Sequence, residues 1–497
     1  MKLQNILGIS AGYHDAAATV INNRGDILFA GHSERYGKLK NDPNLSDGLI
    51  SELCPWQYDT VAFYERPWMH NLQQLYSGQT KLGPWTTRGA IQQQLGAWYQ
   101  KPATNEVSFP HHLSHAAGGF QTSPFDRATV VVIDAIGEFD TITIWAAEYN
   151  KEGCAVYKKL WGQKYPHSIG LFYSAITQRV GLRPLDEEYI TMGMSAYGRS
   201  KLSSIVMNNA FIKDPYEIKF KQNLHLGVDP DFLKDVDDMD LAAGAQHLAE
   251  KLIYNVMHRA QSFGWSTNLV YQGGVALNCL ANRNLGKYFD KIWIMPCPGD
   301  AGSSLGAAAL AYGGKINFSH AYLGRNIPGK YPTNAILDHL LNTGIVGVAS
   351  GRAEFGPRAL GNRSLLADPR GNDIKDRVNE IKRRQKFRPF APVILAELAD
   401  AYFDMPSGFS DSPYMQSVAR CRSPDAYPAI CHHDGTSRVQ TVSADGSGIR
   451  ELLEKWYVLT NCPMLLNTSL NIRGEPMVND RADADRFEKL YGVTVCS

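Results

Sequence analysis

An apolar run enters a glycine turn at Leu269-Val270-Tyr271-Gln272-Gly273-Gly274-Val275-Ala276-Leu277-Asn278, and this pattern sets the expected architecture. Short continuous apolar runs of this kind are typical of strands that are buried on both faces. The same pattern, an apolar run that stops at a glycine turn or an acidic residue, recurs at Ile6–Ile9 before Gly12, Val130–Ile133 before Asp134, and Ile292–Ile294 before Asp300. The sequence therefore predicts several buried strands that each end in a polar turn.

Glycine turns that follow separate strands favour an α/β, actin-like nucleotide-binding fold, because backbone amides at such turns cradle phosphates. No turn matches the GxxxxGK[ST] or the strict GxGxxG pattern, so the P-loop and Rossmann classes are disfavoured. Simple packing remains the alternative explanation for any single turn.

Composition limits the classes of function. The 497 residues allow two to four domains at roughly 100–200 residues each. Fifty basic and 49 acidic residues give a net charge of +1, which predicts no strong long-range attraction to nucleic acid or to an anionic membrane. Eight cysteines without a CxxC pair favour reduced thiols and a cytoplasmic location. The sequence contains no run of 18 apolar residues, so no membrane span is predicted.

A linker is predicted at residues 313–333, where glycine and proline are frequent. A new apolar run, Ile345–Ala349, follows it. We therefore expect one domain at 1–325 and a second at 326–497.

The stretch His111-His112-Leu113-Ser114-His115 places His111 and His115 on one face of a predicted helix. Together with Asp134 and Asp300 at strand ends, the pair has the composition of a divalent metal site for iron or zinc. A helix start with solvated histidines is the alternative. The absence of HExxH argues against a metalloprotease.

A third group of residues is basic. Two arginines lie beside turn residues in Glu354–Ser364, and five of the seven residues 382–388 are Lys or Arg. Arginine forks and lysine charges suit a polyanion such as a triphosphate. A solvated helix face and a nucleic-acid-binding surface remain alternatives.

Taken in order, these motifs resemble the NodU/CmcH-type O-carbamoyltransferases from Gly8 to about Val478. The segments that carry the resemblance are HHLSH, GGVALN, PGDAG, EFGPRALGNRS, KFRPFAP and LNTSLNxxGEP. Members of that family join an actin-like (ASKHA) domain to a YrdC-like domain. The resemblance thus implies an α/β protein with a carbamoyl-transfer domain at 1–325 and a carbamoyl-adenylate-forming domain at 326–497. One departure is Ile190, where the family often has lysine.

The resemblance also implies a reaction: the YrdC-like half makes carbamoyl-adenylate from carbamoyl phosphate and ATP with Mg, and the actin-like half transfers the carbamoyl group near Fe(II). The metal ligands carried over by motif are His111, His115, Asp134 and Asp300. The adenylate contacts of the first half are Gly273, Gly274 and Asn278. The phosphate and carbamoyl-phosphate binders of the second half are Arg358, Lys382, Arg384, Arg388, Ser469 and Asn471.

The acceptor is expected to be a small hydroxyl compound, such as a hydroxymethyl-pyrimidine nucleotide, a sugar or an antibiotic. His14 and Asp15 at the first turn are candidates to orient or deprotonate its hydroxyl. The aromatic block 56–99 predicts either a stacking surface for the acceptor or core packing. Rival functions are an ASKHA-type kinase, a nucleic-acid-binding protein that uses residues 382–388, and a tRNA threonylcarbamoylation enzyme.

Overall fold

The computed structural model describes residues 5–100, 103–409, 411–444 and 447–497. The first sheet is built from β1 (Asn5–Ser10), β2 (Ala17–Asn22), β3 (Ile27–His32), β4 (Tyr58–Phe63) and β5 (Asn105–Ser108), in the spatial order β3-β2-β1-β4-β5. β1 is antiparallel to β2, and β2 to β3, whereas β1, β4 and β5 run parallel. The helices of this part are α1 (Glu34–Gly37), α2 (Asp47–Leu53), α3 (Pro67–Tyr76), α4 (Thr87–Leu95) and α5 (His111–Phe120).

The second sheet repeats this arrangement. The next strands are β6 (Arg127–Gly137), β7 (Asp140–Tyr149), β8 (Ala155–Lys164), β9 (Ile212–Asp214), β10 (Lys219–Phe220), β11 (Asn268–Gln272) and β12 (Lys291–Trp293). The sheet order is β8-β7-β6-β11-β12, with two antiparallel pairs followed by two parallel pairs, and β9 and β10 form a separate pair. Its helices are α6 (Ile169–Arg179), α7 (Glu188–Met194), α8 (Ser200–Phe211), α9 (Asp238–Ser262), α10 (Cys279–Asn282) and α11 (Ser303–Tyr312).

The two sheets exchange a helix. α5 follows the first sheet in the chain, but its Ala116 and Phe120 are buried against Val130 and Val270 of the second sheet. α11 follows the second sheet, but its Ala307 is buried among residues of the first sheet. The two helices cross closely because the position facing the α5 backbone is a glycine. A Cβ on Gly306 would lie 1.8 Å from the carbonyl oxygen of Ser114.

The third sheet lies in the last part of the chain. The strands are β13 (Tyr322–Ile327), β14 (Ile345–Ala349), β15 (Gly351–Glu354), β16 (Arg363–Ala367), β17 (Ala391–Leu395), β18 (Phe403–Asp404), β19 (Ala419–Cys421), β20 (Thr436–Ser437), β21 (Gln440–Val442), β22 (Met464–Ser469) and β23 (Val495–Cys496). Six of them form a mixed sheet in the order β21-β17-β22-β16-β14-β23. The helices are α12 (Thr333–Thr343), α13 (Ile374–Ile381), α14 (Ala399–Tyr402), α15 (Gly448–Thr460) and α16 (Arg481–Tyr491).

A separate core surrounds this last sheet, and its largest fully buried side chain is Trp456. The predicted α/β class is therefore confirmed, with an actin-like pair of related sheets followed by a third sheet that has its own core. The boundary at residue 325 stays a prediction. Across the described residues, the helices are each too short or too polar to cross a membrane.

Candidate metal and phosphate sites on one cavity

A cavity of about 520 Å³ is lined by residues of both parts of the chain. His14, Asp134 and Asp300 of the first part contribute to its wall. The last part contributes cationic side chains, which are Arg358, Lys382, Arg384, Arg388, Arg438 and Arg473. Two sites that the sequence predicted separately therefore share one cavity.

The four predicted metal ligands come together. His111, His115, Asp134 and Asp300 each offer one atom, and these atoms all lie within 4.8 Å of one another. The two Nε2 atoms are 3.1 Å apart. Asp134 Oδ2 lies 3.4 Å and 3.3 Å from them, and Asp300 Oδ1 lies 3.3 Å and 3.2 Å from them. All four residues are buried.

Strand ends and one helix produce this convergence. His111 and His115 lie one turn apart at the start of α5, which follows β5. Asp134 lies near the end of β6, and Asp300 follows the turn after β12. The carboxyl ends of parallel strands meet at one edge of a sheet, and ligands bind there in open α/β folds.

The remaining polar atom of each ligand is held by a second contact. His111 Nδ1 lies 3.2 Å from Glu65 Oε2, and His115 Nδ1 donates to the carbonyl oxygen of Pro298 at 3.1 Å. Asp134 Oδ1 accepts from the Gly274 amide at 3.2 Å. Asp300 Oδ2 lies 3.6 Å from His14 Nε2. Because a carbonyl and an ionised carboxylate only accept, both histidines carry hydrogen on Nδ1 and turn Nε2 toward the cluster.

The electrostatics favour a cation at this position. Burial alone would lower the pKa of His111, but Asp300 and Asp134 raise it well above 6.5. Burial would raise the pKa of Asp134, but His111 and His115 hold it well below 3.8. Two inward imidazoles and two carboxylates are a donor set that suits Zn(II) or Fe(II). The residues therefore fit the predicted metal.

His14 and Asp15 lie on the cavity wall beside this cluster. His14 Nδ1 donates to Asp15 Oδ2 at 3.1 Å. Burial would lower the pKa of His14, but Asp300 and Asp15 raise it to about 9. Asp15 has a φ of 53°, a left-handed conformation that aspartate tolerates better than most residues. Together the two side chains form a polar corner between the cluster and the cavity.

Lys382 is the centre of the cationic side of the cavity. Its Nζ donates to the Asn471 carbonyl oxygen at 2.8 Å and to Asn471 Oδ1 at 3.0 Å, and it also contacts the Ser469 carbonyl oxygen. Ser469 Oγ donates to Asn471 Oδ1 at 2.6 Å. The Lys382-x-Arg384 and Ser469-x-Asn471 motifs therefore meet in space. Burial lowers the pKa of Lys382 well below 10.5, and two neighbouring arginines lower it further.

The five basic residues of 382–388 point in two directions. Lys382, Arg384 and Arg388 line the cavity, whereas Arg383 and Lys386 are exposed. Aromatic rings hold the inward arginines: Arg384 stacks over Phe390 and Arg388 over Tyr189. Within the described residues, no carboxylate forms an ion pair with Lys382, Arg384 or Arg388. An uncompensated cationic cluster facing a cavity suits a bound polyanion.

The segment 354–364 is organised by buried side chains. Glu354 Oε1 accepts from the amides of Leu360, Asn362 and Arg363 at 2.8, 2.9 and 3.2 Å. The Arg363 guanidinium donates to backbone carbonyls, including those of Ser350 and Asn479. Glu354 and Arg363 therefore fix the loop from which Arg358 reaches the cavity.

The predicted adenylate contacts of the first part differ in placement. Gly274 and Asn278 line the cavity, whereas Gly273 does not. Gly273 has a φ of 90°, and a Cβ on it would lie 2.2 Å from the Ile133 carbonyl oxygen, so close packing of the turn on β6 requires glycine at this position. Both polar atoms of the Asn278 side chain are bonded to Gln246 at 3.0 Å. Gln246 therefore fixes the orientation of the Asn278 side chain at the cavity wall.

Among the described residues that line the cavity, none is a tryptophan of the aromatic block. Trp56 and Trp98 are partly buried against the core of the first sheet, whereas Trp68 and Trp85 are exposed. Ile190, which stands where the family often has lysine, is 1% exposed and packs in the hydrophobic core, and it does not line the cavity.

Sequence reasoning missed one residue of the site and left another out of its list of site residues. Glu65 contacts a predicted ligand, and its signal was the apolar run Val61–Tyr64 that stops at a carboxylate, as at Asp134. Arg438 lines the cavity, and its Nε is buried without a hydrogen-bond partner. The sequence places Arg438 in the stretch Asp434–Arg438, downstream of the basic run 382–388 and in the same candidate polyanion-binding group.

Comparison with known proteins gives matches over most of the chain. The family model described as carbamoyltransferase N-terminus matches residues 85–309, and that described as carbamoyltransferase C-terminus matches residues 337–495. An uncharacterised protein of Synechocystis sp. is 32% identical over 97% of this chain and 94% of its own length. Nodulation protein NolO of Bradyrhizobium diazoefficiens is 31% identical over 75% of each chain.

Nodulation protein NolNO of Sinorhizobium fredii is 28% identical over 95% of this chain and 76% of its own length. Among solved structures, the activator of 2-hydroxyisocaproyl-CoA dehydratase from Clostridium difficile gives a TM-score of 0.35 at 13% identity, over 62% of this chain and 94% of that one. The two family models match successive parts of the chain, and the relatives match 75–97% of it. The chain belongs to the carbamoyltransferase family.

Proposed function

We propose that this carbamoyltransferase is an ATP-dependent O-carbamoyltransferase. It makes carbamoyl-adenylate from carbamoyl phosphate and ATP, and it transfers the carbamoyl group to a hydroxyl of a small polar acceptor. One observation carries the proposal: a single cavity is lined both by Asp134 and Asp300 of the four-donor cluster and by the cations around Lys382. An intermediate formed beside the cations can therefore reach the cluster within the same cavity.

The first step needs a site for several phosphates. Water cleaves carbamoyl phosphate to carbamate and phosphate; a carbamate oxygen then bonds to the α-phosphorus of ATP, and pyrophosphate leaves. Arg384 and Arg388, held over aromatic rings, offset the charge on the phosphates, and Mg accompanies ATP. The Lys382 ammonium fixes Ser469 and Asn471 beside them. This assignment gives each residue of the paired motifs a place in one anion site.

The second step forms the product. The acceptor oxygen bonds to the carbamoyl carbon, the bond from that carbon to the adenylate oxygen breaks, and AMP leaves. We assign the Asp15 carboxylate to receive the hydroxyl proton, with His14 holding Asp15 in place through Nδ1. Fe(II) or Zn(II) bound by the four-donor cluster would supply polarisation of the carbamoyl carbonyl.

The acceptor site is best suited to a compact molecule. The cavity of about 520 Å³ also has to hold the adenylate. Candidate acceptors are a hydroxymethyl-pyrimidine nucleotide, a sugar and an antibiotic hydroxyl. A nucleic-acid polymer is a weaker candidate, because Lys382, Arg384 and Arg388 line the cavity and only Arg383 and Lys386 of this segment are exposed.

The test is product mass. Purified protein is incubated with ATP, Mg, carbamoyl phosphate and a panel of hydroxyl acceptors, and one acceptor should gain the mass of one carbamoyl group while AMP accumulates. AMP should not form when carbamoyl phosphate is omitted. Formation of ADP with a phosphorylated acceptor would instead identify a kinase and refute the proposal.

A further inference from the structure

We propose that Glu65 is a positioning residue for the metal ligand His111, and that His70 holds Glu65 in place. This inference rests on the proposed binding of a divalent cation by the four-donor cluster. Glu65 follows β4 of the first sheet, and its side chain reaches across to the first turn of α5.

The carboxylate of Glu65 is used entirely by imidazoles. Oε2 lies 3.2 Å from His111 Nδ1, and Oε1 lies 3.2 Å from His70 Nδ1. The side chain is 7% exposed. Within the described residues, no lysine or arginine forms an ion pair with it. The adjacent Arg66 pairs with Glu138. Burying a carboxylate without a permanent cation costs free energy, and a functional role for Glu65 would account for that cost.

The role that we assign to Glu65 is to orient the His111 ring and to fix its protonation at Nδ1. An ionised carboxylate at Nδ1 keeps the hydrogen on that atom, orients the ring and makes Nε2 a stronger donor to a metal. Both oxygens of the Glu65 carboxylate face an imidazole Nδ1 at 3.2 Å, so the carboxylate is placed to accept from His111 on one side and from His70 on the other. Once Nε2 has lost its proton, His111 directs the lone pair of that atom toward Asp134 and Asp300, where a cation would bind.

The two histidines of the cluster are supported differently. His115 is oriented by the backbone carbonyl of Pro298, which no substitution of a side chain removes directly. His111 is oriented by the side chain of Glu65, which follows β4 of the first sheet, whereas α5 packs on the second sheet. The support of His111 can therefore be removed alone, while the support of His115 remains as an internal standard.

The chain also offers a matched control. Glu138 is a second buried carboxylate near the cluster, at 6% exposure, and its contacts are with Arg66 rather than with a metal ligand. Glu138→Gln removes a buried negative charge without touching His111. An effect of overall charge would appear in both variants, and an effect of positioning would appear only at Glu65.

The experiment measures metal affinity rather than turnover. Metal-free full-length wild type, Glu65→Ala, Glu65→Gln and Glu138→Gln are titrated with Co(II), followed by the visible ligand-field spectrum, and Zn(II) affinity is obtained by competition. Loss of a group that orients a metal ligand lowers affinity about 10–100-fold. We expect that loss and a changed spectrum in Glu65→Ala, a smaller loss in Glu65→Gln, and wild-type behaviour in Glu138→Gln.

Circular dichroism of the metal-free variants checks folding, and Glu65→Gln, which keeps the side-chain volume, serves if Glu65→Ala does not fold. Wild-type protein that binds Co(II) together with Glu65 variants that bind it equally well would overturn this inference alone. Wild-type protein that takes up no cation would overturn the proposed metal as well. Equal losses in the Glu65 and Glu138 variants would assign the effect to charge and overturn the positioning role.

Discussion

Gly306→Ala tests whether the crossing of α5 and α11 sets the geometry of the four-donor cluster. An alanine Cβ would lie 1.8 Å from the Ser114 carbonyl oxygen, whereas ordinary contact begins near 3.4 Å, so the helices would have to part by about 1.6 Å along that line. Ser114 precedes His115 in α5, and α11 follows the turn at Asp300. The substitution therefore pushes two ligands apart without replacing either.

The expected magnitude follows from these distances. Overpacking a close-packed interior costs about 1–3 kcal/mol. Metal–ligand distances tolerate only about ±0.2 Å. A displacement near 1.6 Å at the helix crossing is far larger than that, even if much of it is absorbed by bending. We expect a melting temperature lowered by several degrees and a large fall in bound cation.

Calorimetry gives the melting temperature of metal-free protein, and elemental analysis after Zn(II) loading gives the bound metal. Gly193→Ala is the control, since it also adds a methyl group to a helix, but its Cβ would have only Phe387 nearby, at 4.0 Å. There alanine should be neutral or stabilising by about 0.5–1 kcal/mol. A Gly306→Ala protein that melts and binds zinc like the wild type would refute the argument.

Three further outcomes are expected. Arg384→Ala should abolish carbamoyl-phosphate-dependent pyrophosphate release in a coupled assay, whereas Lys386→Ala on the exposed side should retain it. His115→Ala removes one of four donors and should abolish stoichiometric Zn(II) uptake in elemental analysis, and retained uptake would contradict the ligand set. Because burial and neighbouring arginines lower the pKa of Lys382, phosphate affinity measured by calorimetry should fall as pH rises through an interval below 10.5. Lys382→Met should lack that fall, and an unchanged profile would contradict the assignment.

Much of the fold could be predicted because the strands are locally encoded. The runs Val130–Ile133 and Leu269–Gln272 became the neighbouring parallel strands β6 and β11. Once such runs are parallel, their carboxyl ends must share an edge. Polar residues after separate runs therefore converge, as Asp134 and Asp300 do. Glu65 also follows an apolar run, Val61–Tyr64, but β4 belongs to the first sheet, so its approach to the cluster depends on how the two sheets pack and not on a shared sheet edge.

Other features depend on contacts that no local pattern contains. Asn278 lines the cavity, but its side chain is held by Gln246, far away in α9, a contact that the local sequence does not show. The aromatic block is concentrated in sequence, but its tryptophans divide between the core of the first sheet and the surface. Burial of a large side chain is decided by the whole fold, so clustering along the chain could not distinguish the two roles.

The exchanged helices make the two related sheets inseparable. A cut between α5 and β6 would leave each fragment with the helix that belongs over its neighbour's sheet, and with its own apolar sheet face uncovered. Such fragments could complete themselves only by association, in the manner of a domain-swapped dimer. The continuous chain is thus equivalent to a swapped pair whose partners are permanently tethered, which removes the concentration dependence that such an assembly would otherwise have.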